Sequence, residues 1–197
     1  MSFCLGLTGS IGMGKSTTAQ MFRDAGCAVW DADAAVHRLY AKGGSGVAPV
    51  QAVFPNAVEN GAISRSALRN IMSADPTALK QIEMIVHPLV AQDRAAFIKA
   101  SDAEILVFDI PLLFETGGDA AMDAVAVVHV GEDVQESRVM ARGTMTAEQF
   151  RAIKATQMPS AEKCVRADFA IEADTVEHTQ AQVHHVIEQI RKRMTHA

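Results

Sequence analysis

Gly9-Ser10-Ile11-Gly12-Met13-Gly14-Lys15-Ser16 stands between an apolar run, Phe3 to Leu7, and a segment of helical patterning that begins near Lys15. Glycines at the first and sixth positions let backbone N–H groups turn inward around phosphate oxygens, while Lys15 supplies a mobile cation and Ser16 a hydroxyl for Mg²⁺. The N-terminus of the following helix adds unpaired donors and a favourable dipole. Strand, loop and helix in this order are the context the pattern needs. The bland alternative is a glycine turn that merely caps a helix.

Outward from the loop, apolar runs and helical stretches alternate: Phe3 to Leu7, Ser16 to Asp24, Ala28 to Trp30, Ala34 to Ala41. This βαβα order predicts an α/β fold with a parallel sheet and helices packed on its faces. Ile105 to Asp109 and Ala124 to Val130, rich in Val, Ile and Leu, read as further buried strands. Phe169 to Ile171 makes a short fifth. About sixty residues from Gly43 to Ala103 separate the second and third strands, far more than a crossover needs, and predict a helical subdomain. Gly43 to Gly46 reads as a flexible turn into it.

Within that insertion Ser64 is placed to cap a helix from Arg65 to Met72, and Asp75-Pro76 to open another. The second helix carries Leu79, Ile82, Ile85 and Val86 at helical spacing until Pro88, which is expected to break or kink it. Thr146 to Gln149 fits a capping box and starts a helix after a loop at 143–145. A last helix, Thr175 to Met194, is expected to bury Val176, Val183, Val186, Ile187 and Ile190, with its basic end complementing the helix dipole.

The 197 residues are 49% hydrophobic and 21% charged, with room for one sizeable core and a small inserted subdomain. No apolar run approaches the roughly 20 residues that span a bilayer, and the chain enters a strand without a basic leader. Neither membrane nor secretion is expected; the cytoplasm is. A net charge of −5 gives no electrostatic reason for a nucleic-acid partner. Cys4, Cys27 and Cys164 are odd in number and far apart, which predicts buried reduced thiols rather than a disulfide frame or a thiolate zinc site.

Ligands of open α/β sheets lie beyond the carboxyl ends of the strands, so residues just past the second and third strands should border the crevice. Asp31 and Asp33 fall there, able to point the same way if extended structure persists. A carboxylate at Asp33 could take a proton from an attacking hydroxyl or bind Mg²⁺; it could equally be the N-cap of the next helix. Asp109 ends an apolar strand as a metal-binding carboxylate does, opposite Ser16, with capping of the next turn as the alternative. Arg138 and Arg142 are four apart and share a helix face ahead of a polar loop. They suit a lid that closes over ATP, or a solvated surface.

Several separate pieces resemble the dephospho-coenzyme A kinase family along nearly the whole chain: L-T-G-S-I-G-M-G-K-S-T at Leu7 to Thr17, D-A-D at Asp31 to Asp33, His87-Pro88, P-L-L-F-E at Pro111 to Glu115, the arginines Arg138 and Arg142, Gln157, Glu162-Lys163 and Ala167-Asp168. The resemblance implies a P-loop NTPase-type three-layer fold over 1–197 with a five-stranded parallel sheet. It also implies a helical CoA-binding insertion at about 43–103 and a lid at about 138–160. The implied reaction is Mg·ATP-dependent phosphorylation of the ribose 3′-hydroxyl of dephospho-CoA, with small-molecule partners and a monomer or small homo-oligomer.

Carried over by motif, Lys15, Asp33, Arg142 and Arg138 are catalytic, and Gly9, Ser10, Ile11, Gly12, Met13, Gly14, Lys15, Ser16 and Thr17 bind ATP. Asp33, Arg65, His87 and Leu112 bind the acceptor, and Ser16, Asp33 and Asp109 hold the metal. His87 before Pro88 could also be a hydrogen-bonded helix-end histidine. The chain departs from the family at Gly143, where Asp or Asn is usual, and at Glu172 to Asp174, where an Asn-Gly pair is usual near adenine. Ser10 stands in place of a common glycine.

Overall fold

A computed structural model describes residues 2–195, which form two compact units, one from residues up to Trp30 together with those from Asp102, the other Asp31–Ser101. In chain order the first unit begins with β1 (Phe3–Thr8), α1 (Lys15–Asp24) and β2 (Ala28–Asp31). The second contains α2 (Ala32–Tyr40), α3 (Val47–Val53), β3 (Val58–Glu59), β4 (Ala62–Ile63), α4 (Arg65–Ala74) and α5 (Ala78–Ala100). The chain then returns through β5 (Ile105–Asp109), β6 (Ala124–His129), α6 (Glu132–Ala141), α7 (Ala147–Thr156), α8 (Ser160–Arg166), β7 (Phe169–Glu172) and α9 (Val176–Thr195).

The first unit is built on a five-stranded sheet of order β2-β5-β1-β6-β7. β1 lies at its centre, parallel to β5 from Phe3↔Ile105 to Leu7↔Asp109 and to β6 from Leu5↔Ala124 to Thr8↔Val127. Alternate strand residues face opposite sides. Leu5, Leu7, Ala124, Ala126 and Val128 meet Phe22 of α1 and Val183, Val186, Ile187 and Ile190 of α9 in one core. Val125 and Val127 meet Leu113 and Phe114 in the other, with Met158 and Cys164 against them. Placing β1 between β5 and β6 sends its C-terminal loop out at the sheet edge where ligands of such folds collect.

Asp168 ties the β6–β7 end together: its Oδ2 accepts from the Val125 N–H at 2.9 Å and its Oδ1 pairs with Arg193 of α9 at 3.2 Å. Val176 is 60% exposed, against expectation: it is the first residue of α9, and Thr179 is the first buried position of that helix. Of the three cysteines only Cys27 is buried, and Cys4 and Cys164 are half-buried. Burial pushes the Cys27 thiol up to about 11, against the opposing pull of Arg191, so it stays protonated at neutral pH.

In the second unit Leu39, Val50, Ala57, Leu68, Ile82 and Val86 form a separate core. Ser64 caps α4 by accepting from the Ala67 N–H at 3.3 Å. Asp75 binds the N–H and hydroxyl of Thr77, each at 2.8 Å, and α5 starts only at Ala78, past Pro76. Pro88 does not end α5, which continues to Ala100. The proline removes one backbone donor, and the carbonyl it would have served, on Met84, belongs to a residue 70% exposed that water can reach. The insertion is not purely helical. β3 and β4 pair across Asn60 and Gly61, whose φ values of 52° and 79° fit a type I′ hairpin turn. The glycine stretch before α3 is a hydrogen-bonded turn, with Gly44 N–H donating to Ala41 O at 2.8 Å and Gly46 N–H to Leu39 O at 3.2 Å.

Candidate active site

Gly14 is the N-cap of α1 and has no side chain to donate or accept there, whereas α2, α4 and α7 are capped by the side chains of Asp31, Ser64 and Thr146. α1 also carries no acidic residue in its first turn. Its leading N–H groups thus lack the side-chain acceptor that α2, α4 and α7 have, and the dipole favours an anion in that place. Gly12 and Gly14 hold the loop at φ 78° and 92°, a region that L side chains rarely adopt. Ser10 needs no such conformation, which accounts for a serine where glycine is common.

Behind the loop, Lys15 Nζ makes a close ion pair with Asp109 at the end of β5, a carboxylate only 3% exposed. A charged pair so little hydrated needs its partner, since removing either side leaves an uncompensated buried charge. Ser16 and Thr17 are exposed on the first turn of α1. Thr8 fixes the neighbouring turn, donating its hydroxyl to Pro111 O at 2.9 Å. Leu112, 40% exposed, lies in that same turn after β5.

A cavity of about 260 Å³ opens beside the loop and is lined by Gly14, Thr17, Arg138, Arg142, Ala173 and Asp174. It brings together two arginines and the residues that replace the family's Asn-Gly pair. Arg138 donates to Ala173 O at 2.8 Å and to Asp174 O at 3.3 Å, so its guanidinium is moored to the chain after β7. Arg142 is exposed at the C-cap of α6, and Gly143 comes next with φ 62°. Asn and Asp also tolerate that left-handed conformation, so the departure at Gly143 keeps the backbone geometry. Asp174 is further held by the Thr175 N–H at 2.7 Å and His178 Nδ1 at 2.8 Å, and these two contacts, in that order, hold its carboxyl below the usual range.

Within the second unit, Asp33, Arg65 and His87 line one cavity of about 740 Å³. Asp33 is not the N-cap of α2. The chain leaves extended structure at Ala32, Asp31 takes the cap by accepting from the Ala34 N–H at 2.9 Å, and Asp33 is left in the first turn with an exposed carboxylate. Tyr40 and Arg69 line the same cavity and carried no motif; the i, i+4 spacing from Arg65 was the one signal for Arg69, and Tyr40 had none. Glu115 and Lys163, two pieces of separate motifs, pair at 2.8 Å, with Lys163 fully buried and Glu115 also accepting from the Met158 N–H at 2.9 Å.

A parallel sheet of this order with a phosphate loop after its central strand defines a P-loop kinase fold. A shikimate kinase structure from Bacteroides thetaiotaomicron shares it at TM-score 0.51 and 13% identity, covering 96% of this chain and 98% of that chain. A crystal structure from Thermus thermophilus superposes at TM-score 0.85 with 31% identity, covering 95% of this chain and 97% of that chain. The sequence profile of the dephospho-CoA kinase family matches residues 3–178. Proteins of that name from Ruegeria pomeroyi and a Jannaschia species are 64% identical over all of both chains and 55% identical over 96% of this chain and 98% of the relative. The chain belongs to the dephospho-CoA kinase family.

Proposed function

We propose that this chain transfers the γ-phosphoryl group of ATP to the ribose 3′-hydroxyl of dephospho-CoA, giving CoA and ADP, the last step of coenzyme A biosynthesis. The observation that carries the reading is the uncapped N-terminus of α1 with the Lys15–Asp109 pair directly behind it, in a chain of this family. Backbone N–H groups of the stretch Gly9 to Thr17 cradle the phosphates, apart from those of Ile11 and Met13, which donate within the protein, and Lys15 moves between Asp109 and the phosphate oxygens. Ser16 and Asp109 would offer Mg²⁺ oxygen ligands of the kind it takes, with Asp33 as a further carboxylate, and the ion when bound would neutralise charge on the phosphate oxygens.

The acceptor oxygen attacks the γ-phosphorus, the bond to the β–γ bridging oxygen breaks, and the hydroxyl proton passes to Asp33. Arg142 neutralises charge on the phosphoryl oxygens during transfer, and Arg138 shapes the nucleotide pocket through its hold on residues 173 and 174. The insertion at about 43–103 takes the acceptor through Arg65 and His87, with Leu112 contributing apolar contact from the turn after β5, and the lid spans about 138–160. No helix among the described residues is long and apolar enough to cross a membrane. The reading places the enzyme in the cytoplasm as a monomer or small homo-oligomer, with small molecules rather than nucleic acid as partners.

A coupled ADP assay with a substrate panel tests this. Dephospho-CoA is expected to outpace nucleosides, nucleoside monophosphates and shikimate by at least about a hundredfold in kcat/KM. Equal or faster turnover of any of the others would sink the assignment.

A further inference from the structure

We infer that Gln135 and Gln157 are positioning residues for the phosphate loop, holding the backbone of Ile11 by its two polar groups. The inference rests on the kinase reading and adds two residues to it. The Ile11 N–H donates to Gln157 Oε1 at 3.1 Å, and the Ile11 carbonyl accepts from Gln135 Nε2 at 2.7 Å. Gln135 sits on α6, and Gln157 is the C-cap of α7. Within the loop the backbone contributes one bond, Met13 N–H to Ser10 O at 3.2 Å, so these side chains are a large part of what orients it.

Packing does not account for Gln135. The side chain is fully buried, and its Oε1 has no partner among the described residues, a desolvation cost that a leucine of similar size avoids. What the amide provides at this position is the donor to Ile11. The neighbouring Gly12 presses on the same helix, where an added Cβ would come within 2.5 Å of Val139. Gln157 is equally well anchored, since the N–H of the next residue, Met158, donates to Glu115, and Glu115 pairs with buried Lys163. The clamp therefore joins the loop to two elements that are themselves fixed. A loop that grips phosphate through backbone N–H groups loses affinity when it must be ordered at the moment of binding, and pre-setting one peptide plane removes part of that cost.

The test is made on the full chain, with steady-state kinetics and amide hydrogen exchange. Gln157→Met keeps the volume and removes the strong acceptor; Gln157→Glu keeps an acceptor; Gln135→Leu removes the donor. Gln157→Met is expected to raise KM for ATP by about five- to tenfold, the effect of one lost hydrogen bond, while KM for dephospho-CoA stays within about twofold. Exchange at the Ile11 amide should accelerate in Gln157→Met and stay slow in Gln157→Glu. Gln135→Leu, where a thermal melt shows it folded, should raise KM for ATP alone, and the double variant should fall short of the product of the two single effects because both bonds fix one segment.

An unchanged KM for ATP in Gln157→Met, or an equal rise for both substrates, overturns the assignment. Wild-type protein that fails to turn over dephospho-CoA would instead overturn the kinase reading, so the two failures are told apart.

Discussion

Asp31 and Asp33 are two residues apart and separate stability from turnover. Asp31 is still extended, at φ −115° and ψ 121°, and its carboxylate satisfies an N–H at the start of α2. Asp33 is already inside the first turn, where its exposed carboxylate caps nothing and borders the cavity of Arg65 and His87. Losing the cap, as in Asp31→Ala, should cost about 1 kcal/mol of stability, seen as a small drop in melting temperature with kcat largely kept. Asp33→Asn should leave the melt unchanged and lower kcat by roughly 10² to 10⁴ if the carboxylate takes the hydroxyl proton. Wild-type kcat in Asp33→Asn would remove that role. The D-A-D spacing alone left the cap open between these two residues, because it is decided by where the strand lets go of the chain.

At the scale of elements, the Glu115–Lys163 pair links the turn after β5 to α8. Burial of the Glu115 carboxyl works against its charged form, but the Lys163 ammonium and the Met158 N–H outweigh it and hold the group below its ordinary 4.5. A carboxyl depressed in the folded state stabilises the protein above its unfolded pKa, and that contribution is lost as pH falls through the folded value. The melting temperature of Glu115→Gln should therefore lie below wild type at neutral pH, with the gap shrinking as pH drops below about 4.5. A gap that persists undiminished in acid would show that the pair is not its source. Lys163→Ala should cost about 3 kcal/mol, the low end for a broken buried pair, because Glu115 keeps some contact with water.

Elements also differ in how openly they announce themselves. The capping box at Thr146 forms as read, with Thr146 and Gln149 bonded reciprocally, because all its atoms are local. The β3–β4 hairpin carried its Asn-Gly signal in plain view, yet two-residue strands are too short for an alternation pattern to register. Pro88 reads in sequence as a break or a kink, and the break does not occur: α5 runs through it, with Ile82 and Val86 buried in the turns before it.

For the whole molecule, the parallel sheet was legible because its strands are mainly short apolar runs, most of them followed by stretches of helical patterning, and the phosphate loop because its chemistry is written in eight consecutive residues. The clamp at Ile11 was not, since Gln135 and Gln157 lie 124 and 146 residues away; Gln157 stood out as a motif piece, but nothing local tied it to the loop, and Gln135 carried no signal. The central claim is that a phosphoryl group held at the N-terminus of α1 is delivered to one particular alcohol. Phosphorus NMR of the product formed from dephospho-CoA and Mg·ATP measures this most directly. The account predicts a single new monophosphate resonance coupled to the ribose 3′ proton, formed in step with ADP. ADP released with phosphate appearing free in solution, or attached at any other position, would contradict it.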